Sequence, residues 1–74
     1  MIGTEIKKRR IAANLTQARL AQLSGVNQST ISDIESGVSE SPGLLVIYRL
    51  AAALGCKASE IVRSDEDELE EKSA

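Results

Sequence analysis

The sequence predicts an all-α, compact five-helix domain, and three observations lead to this prediction. The 74 residues are 42% hydrophobic but only 1% aromatic, so a core must be built from Leu, Ile, Val and Ala. Alanine is the best helix former, and the alternation of apolar and polar residues that marks a strand is absent. Residues 15–36 contain two helix start signals separated by a helix stop, which indicates two short helices joined by a tight turn. A chain of this length has room for one domain.

The first predicted helix runs from about Thr4 to Ala13. Helical spacing places Ile2, Ile6 and Ala13 on its inward face. Arg10 falls on the same stripe as Ile6 and Ala13, and an arginine on an apolar stripe needs a carboxylate partner. The lysines beside it indicate a solvated face.

The second predicted helix begins at Gln17, because Thr16 is a hydroxyl residue placed to cap it. Leu15 and Leu20 have the spacing of a hydrophobic staple around this cap. Gly25 follows Ser24 where the helix must end, and glycine adopts a positive φ there without steric penalty. The residues predicted to lie inward are Leu20, Ala21 and Leu23.

The third predicted helix is capped by Asn27, with Val26 and Ile31 in the same staple relationship. Ile31 and Ile34 are predicted to lie inward. The opposite face carries short polar residues, namely Gln28, Ser29, Ser32, Asp33 and Ser36. Such side chains can meet base edges in a DNA major groove, which is roughly 12 Å wide.

The fourth predicted helix runs from about Pro42 to Leu54, and its apolar residues exceed what one face requires. The inward set follows the i, i+3, i+4 pattern and consists of Leu44, Ile47, Leu50, Ala51 and Leu54. Leu45, Val46 and Tyr48 are left as surplus. A fifth helical segment contributes the last apolar pair, Ile61 and Val62.

The charges divide the chain into a folded domain, residues 1–63, and an acidic tail, residues 64–74. The net charge is −2, yet from Asp65 onward six acids and one base give −5, while residues 1–64 hold eight bases and five acids, a net +3. The tail is interpreted as a solvated helix extension or a disordered end. Repulsion of non-target nucleic acid and contact with a basic protein partner remain open alternatives.

Catalysis has little support in the sequence. Histidine is absent, and neither a metal-ligand cluster nor a glycine-rich phosphate loop occurs. We expect a protein that is not an enzyme and needs no metal or cofactor. The lone Cys56 is interpreted as a small buried hydrophobe rather than a redox sensor. Neither a membrane-spanning run nor a signal-peptide core occurs, which predicts a cytoplasmic protein without membrane contact.

Several motifs in their order give the chain a family resemblance. They are the run KKRR at residues 7–10, the two-helix segment LTQARLAQLSGVNQSTISDIES, the following IESG, the single proline at 42 and LAAALG at residues 50–55. In these motifs residues 2–62 resemble the phage repressor and Cro (XRE-like) family of helix-turn-helix DNA-binding proteins. The resemblance implies a lambda-repressor-like fold, double-stranded DNA as partner and a bacterial or phage-encoded, nucleoid-associated protein.

The resemblance also assigns roles to individual residues. It implies that Glu35 is the carboxylate partner of Arg10 in a structural ion pair. Gln17 and Asn27 are expected to contact DNA phosphates, and Thr30 the backbone or a thymine methyl group. The residues expected to read bases are Gln28, Ser29, Ser32 and Asp33.

Two positions depart from the family pattern. The loop at residues 38–43 holds one acid and no base, so fewer phosphate contacts and a shallower salt dependence of DNA binding are expected. Arg19 stands where many members have an acid that completes a capping box with Thr16, so that box is lost while the cap remains.

In this family the fourth and fifth helices commonly make dimer contacts. We therefore expect a two-fold homodimer through Leu45, Val46, Tyr48 and Arg49, with half-sites roughly 34 Å apart. The expected function is sequence-specific regulation of transcription, most simply as a repressor that occludes a promoter. The alternative is a protein-interaction module of the same fold, antitoxin-like or an anti-regulator subunit, with weak or no DNA binding.

Overall fold

The computed structural model describes residues 1–39 and 42–64, which form five helices and contain no strand. The helices are α1 (Ile2–Ala12), α2 (Gln17–Ser24), α3 (Gln28–Ser36), α4 (Leu44–Leu54) and α5, helical over residues 58–64. The all-α prediction is confirmed. The acidic residues 65–74 of the predicted tail lie outside the described residues, and none of the described helices is both long and apolar enough to cross a membrane.

Helix α1 begins at Ile2, earlier than predicted, and it contains a buried glycine that the sequence pattern did not indicate. Gly3 is buried, and a Cβ atom at this position would overlap the carbonyl oxygen of Ile34 and lie 3.3 Å from the Cα of Glu35. The backbone of α1 therefore packs directly on the backbone of α3. Ala13 was wrongly predicted to lie inward: α1 ends before it, the chain turns at Asn14 with a φ of 61°, and Ala13 is exposed.

The two predicted helix starts have different outcomes. At α2, the Thr16 hydroxyl accepts a hydrogen bond from the Arg19 backbone N–H at 3.0 Å, which confirms the cap. Asn27 occupies the N-cap position of α3, but its side chain makes no cap hydrogen bond, so that prediction is wrong. The Ser24 hydroxyl instead accepts from the Val26 N–H at 3.2 Å and so ties the turn together. Gly25 in this turn has the predicted positive φ, 75°.

The core is a single cluster contributed by all five helices and the turn before α3. Its members are Ile6, Leu20, Val26, Ile31, Ile34, Ile47, Leu50, Ala51 and Ile61. Helix α3 packs against α1 and α2, and α4 packs against α2 and α1. The α2–α3 pair is therefore held from two sides, which fixes the orientation of α3.

Three further apolar residues lie elsewhere than predicted. Leu23 and Leu44 were expected inside but are 49% and 74% exposed. Each lies at the end of a short helix, where the stripe continues past the edge of the core. Val46 was counted as surplus, but it is half-buried and packs against the core.

Candidate nucleic-acid interface

The outward face of α3 presents only polar side chains. Gln28, Ser29, Ser32, Asp33 and Ser36 are all exposed, whereas Ile31 and Ile34 on the opposite face are 0% and 1% exposed. The division is the one expected from the sequence, and it leaves hydroxyl, amide and carboxylate groups in solvent. A helix with this face can enter a major groove and form hydrogen bonds to base edges.

Local hydrogen bonds terminate α3 at its C-terminal end. The carbonyl oxygen of Asp33 accepts from the Ser36 hydroxyl at 3.2 Å and from the Ser39 N–H at 3.0 Å. The Asp33 carboxylate has no partner among residues 1–39 and 42–64. It is therefore available to accept a hydrogen bond from a ligand.

The side chain of Gln17, the first residue of α2, connects the N-terminus of α2 to α3. Gln17 is half-buried, and its amide Nε2 donates to Glu35 Oε1 at 3.2 Å. An amide nitrogen carries two hydrogens, so one remains for a phosphate oxygen. The first backbone N–H groups of α2 also lack helical partners, which makes this helix end suited to an anion. Sequence reasoning did not foresee the contact between Gln17 and Glu35.

Arg10 and Glu35 form the central polar contact beneath this surface. Arg10 Nε donates to Glu35 Oε2 at 2.8 Å, and Arg10 Nη2 donates to Glu35 Oε1 at 3.0 Å. Arg10 Nη1 donates to the Leu15 carbonyl oxygen at 2.7 Å. The side chains of Arg10 and Glu35 are 12% and 3% exposed. One guanidinium thus links α1, the α1–α2 connection and α3.

The ionisation of Glu35 follows from these contacts. Burial raises the pKa of a carboxyl group, but hydrogen bonds from Arg10 and Gln17, with the charges of Arg10 and Lys7, outweigh it and lower the pKa of Glu35 below its ordinary value. The hydrogen bond to Glu35 likewise raises the pKa of Arg10, against the effect of burial. Both groups are charged at neutral pH.

The basic run of α1 is only partly available to a ligand. Arg9 contacts Glu5 at 2.7 Å and Glu60 at 3.4 Å, so its charge ties α1 to α5. The hydrogen bond to Glu5 raises the pKa of Arg9. The i, i+4 spacing of Glu5 and Arg9 could have revealed the first contact, but nothing in the sequence indicates the second. Lys7 and Lys8 are exposed and have no carboxylate partner in the part of the chain that the structure describes.

The remaining predicted DNA-contacting residues lie at or near the surface. Asn27 is exposed and Thr30 is half-buried. Arg19 is exposed, and its Nη1 donates to Gln22 Oε1 at 3.0 Å, so it forms no ion pair with another described residue.

Helix α4 carries the residues that were predicted to form a dimer interface. Leu45 and Tyr48 are 62% and 66% exposed, and Arg49 is also exposed, whereas Val46 packs against the core. Beside Tyr48 is an open groove of about 270 Å³. Its lining residues are Tyr48, Ala51, Ala52, Cys56, Lys57 and Ala58.

Cys56 lies between α4 and α5 and is half-buried. Burial raises the pKa of the half-buried Cys56 thiol and keeps it protonated at neutral pH. No three potential metal ligands come together anywhere in residues 1–39 and 42–64.

The sequence and the fold of this chain are similar to those of known proteins. Residues 6–61 match the model of a family described as helix-turn-helix, of the XRE type. The crystal structure of SinR, described as the master regulator for biofilm formation, in complex with DNA superposes with a TM-score of 0.81 at 27% identity, covering 84% of this chain and 98% of that one. The structure of the SinR protein in its complex with SinI superposes with a TM-score of 0.84 at 25% sequence identity. The match covers 90% of this chain and 65% of that one.

Proposed function

The chain belongs to the phage repressor and Cro (XRE-type) helix-turn-helix family of DNA-binding transcription regulators, and from that premise we propose that it recognises an operator-like DNA sequence as a homodimer and represses transcription. Repression is by occlusion of a promoter and involves no catalytic step and no cofactor. The proposed location is the cytoplasm, where the DNA of a bacterium or phage is accessible.

One observation carries this proposal, the polar outward face of α3 on a helix whose other face is buried. In the proposed complex Gln28 grips adenine through its amide, and Asp33 accepts from the amino group of cytosine. Ser29 and Ser32 add hydroxyl contacts to neighbouring bases. The backbone contacts are assigned to Gln17, Asn27 and Thr30. The SinR structure in complex with DNA supports the proposal, because its fold covers 84% of this chain.

The homodimer is proposed from the exposed apolar surface of α4. Leu45 and Tyr48 leave more than half of their surface in water, which is unusual for two large side chains so close together. A tyrosine combines a large apolar body with a polar tip and is a common anchor of interfaces. Arg49 borders the patch. Two copies joined here would present two α3 helices to an inverted-repeat site, with half-sites about 34 Å apart.

The test is selection of bound sequences from a random DNA pool at two salt concentrations, with the oligomeric state of the same protein measured by analytical ultracentrifugation. The expected result is an enriched inverted repeat bound by a dimer, with binding that weakens as salt increases. No enrichment at the lower salt concentration would contradict the proposal.

A second candidate function is a protein-interaction module, for which the exposed apolar residues of α4 are the specific observation. The similarity to SinR in its complex with SinI supports it, although this chain spans only 65% of that SinR chain. Two variants separate the candidates. Gln28→Ala combined with Ser29→Ala should abolish operator selection but leave a protein complex intact. Tyr48→Asp should break a protein complex. The second candidate is favoured if this variant loses function without a change in self-association and the α3 double variant keeps its function.

A further inference from the structure

Glu35 connects the residue proposed to contact a phosphate with the helix proposed to read bases. Its side chain lies on α3 and is 3% exposed, and its Oε1 accepts a hydrogen bond from Gln17 Nε2 at 3.2 Å. Gln17 is the first residue of α2, whereas Ser32 and Asp33 lie on α3 shortly before Glu35. The two kinds of proposed DNA contact are therefore joined through one carboxylate.

This carboxylate is a fixed acceptor. Arg10 Nε and Nη2 hold its two oxygens at 2.8 and 3.0 Å, and Arg10 Nη1 donates to the carbonyl oxygen of Leu15, shortly before Gln17 in the chain. An ionised carboxylate accepts hydrogen bonds and donates none, so it selects the nitrogen end of the Gln17 amide and excludes the oxygen end. The orientation of this amide in the free protein thus follows from the position of Glu35.

Gln17 is therefore ordered before DNA binds. One hydrogen of its Nε2 is used by Glu35, and the other remains for a ligand. Glutamine has many rotamers, and ordering such a side chain during binding lowers affinity by about two- to tenfold. Gln28, by contrast, is exposed, and its side chain makes no hydrogen bond within residues 1–39 and 42–64. Of these two glutamines, Gln17 is the one held in advance.

The charge of Glu35 does not oppose a phosphate nearby. Arg10 faces it with two parallel N–H···O contacts, so the pair has no net charge, and both side chains are largely shielded from water. Gln17 is half-buried and contacts solvent as well as this pair. It is thus the group through which Glu35 can act on a ligand at the surface.

We propose that Glu35 is a positioning residue for DNA recognition, which directs the free N–H of Gln17 at a DNA phosphate and fixes the distance between that contact and the base-reading face of α3. The inference rests on the proposed DNA-binding function. Phosphate contacts set the register of a protein on the duplex. Loss of the anchor therefore lowers discrimination between sequences as well as affinity.

The experiment is a double-mutant cycle between Gln17 and the ion pair. Arg10→Met combined with Glu35→Met removes the acceptor together with its counter-charge, because a buried pair can be replaced by apolar residues with little loss of stability. Gln17→Met keeps the length of the side chain and removes the amide. Affinity is measured for a duplex with the inverted repeat enriched in the sequence selection and for a random duplex, and circular dichroism verifies that each variant is folded.

Replacing the pair should lower affinity for the repeat about fivefold when Gln17 is present, and by less than about twofold in the Gln17→Met background. The ratio of the affinities for the repeat and the random duplex should fall in the same way. An equal loss in both backgrounds would overturn the proposal, since the pair would then act on DNA binding without Gln17.

Arg9→Met combined with Glu5→Met is the matched control. It also removes an ion pair of α1 and leaves the net charge unchanged, but this pair makes no contact with Gln17. Its effect on affinity should be the same with and without the Gln17 amide. A dependence on Gln17 as large as that of the Arg10–Glu35 pair would overturn the proposal, because a general loss of stability would then explain both results.

A readout without DNA separates this proposal from the proposed function. In the free native chain, ¹⁵N relaxation of the side-chain amides should give an order parameter of about 0.8 for Gln17 and below about 0.6 for Gln28. Equal mobility of the two amides would overturn the proposal. If Gln17 is ordered but the chain binds no duplex, the DNA-binding function fails and the positioning role fails with it, while the contact between Gln17 and Glu35 stands.

Discussion

Arg10 holds Glu35 through two parallel N–H···O contacts of 2.8 and 3.0 Å, across 25 residues of sequence. This bidentate geometry is the strongest arrangement of an arginine and a carboxylate. Gln17 adds a third donor to Glu35, and Arg10 adds a bond to the Leu15 carbonyl oxygen. The start of α2 and the end of α3 are therefore fixed relative to each other by one buried carboxylate.

Replacing this carboxylate should destabilise the domain strongly. Glu35→Ala leaves the mostly buried Arg10 without a counter-charge, and we expect the free energy of unfolding to fall by about 3 kcal/mol or more. Glu5→Ala is the matched control, because it removes the partner of the more exposed Arg9 and should cost about 1 kcal/mol or less. Urea denaturation followed by circular dichroism measures both. Equal losses would contradict the assigned role of the buried pair.

Acid should weaken the domain through the same carboxylate. The pKa of Glu35 is lower in the folded state than its ordinary value of 4.5, so its contribution to stability is complete above that value and disappears as the pH falls below it. We expect the free energy of unfolding of the native chain to decline more steeply between about pH 5 and pH 3 than that of Glu35→Gln. Parallel pH dependences would show that Glu35 titrates alike in both states.

The contact between α1 and α3 should tolerate no side chain at position 3. Gly3→Ala forces a methyl group into the Ile34 carbonyl, so the helices must separate, at a cost of about 1 to 3 kcal/mol or more. Gly43→Ala is the control, because a Cβ atom there meets nothing within 4 Å and the φ of −54° suits alanine; as the N-cap residue of α4, its replacement should cost about 1 kcal/mol or less. Thermal unfolding of both variants distinguishes a packing effect from a general effect of losing glycine.

The two helix starts should respond differently to the same truncation. Thr16→Ala removes the hydroxyl that accepts from Arg19 N–H and should cost about 1 kcal/mol. Asn27→Ala removes a side chain without a cap hydrogen bond and should cost clearly less. Chemical denaturation of the two variants under one set of conditions provides the comparison. A larger loss at Asn27 would mean that its amide caps α3 in solution.

Gln28 should determine one base of the operator. Gln28→Ala is expected to relax selection at a single position of each half-site, a loss of about 1 to 3 kcal/mol in discrimination. Gln22→Ala is the control, because Gln22 lies on α2 and contacts Arg19. Repeating the sequence selection with each variant measures the effect. If only Gln22→Ala relaxed base selection, the base-reading residues would not lie on α3.

The helices and the polar face of α3 could be predicted because their signals are local. The spacing of Ile31 and Ile34, the hydroxyl of Thr16 and the glycine at 25 act within one turn of their own helix. The partnership of Arg10 and Glu35 came from a family pattern, since spacing alone could say only that Arg10 needs an acid. Local reasoning failed at Asn27, which occupies the N-cap position of α3 without a cap hydrogen bond from its side chain.

The contacts that were missed join residues distant in sequence. These contacts are Gly3 with Ile34, Arg9 with Glu60, and Gln17 with Glu35. No pattern along the sequence predicts any of these pairs. Leu23 and Leu44 follow the helical repeat but lie where the core ends. Periodicity gives the direction of a side chain, and only the packed neighbours decide how far the core extends.

The exposure of Tyr48 makes it a natural spectroscopic probe. It is the chain's only aromatic residue, and the described core is wholly aliphatic. Ultraviolet emission from the unmodified protein therefore originates at one point on the outer surface of α4. Because this phenol is already in water in the folded domain, its fluorescence will change little on unfolding and will respond mainly to whatever covers α4.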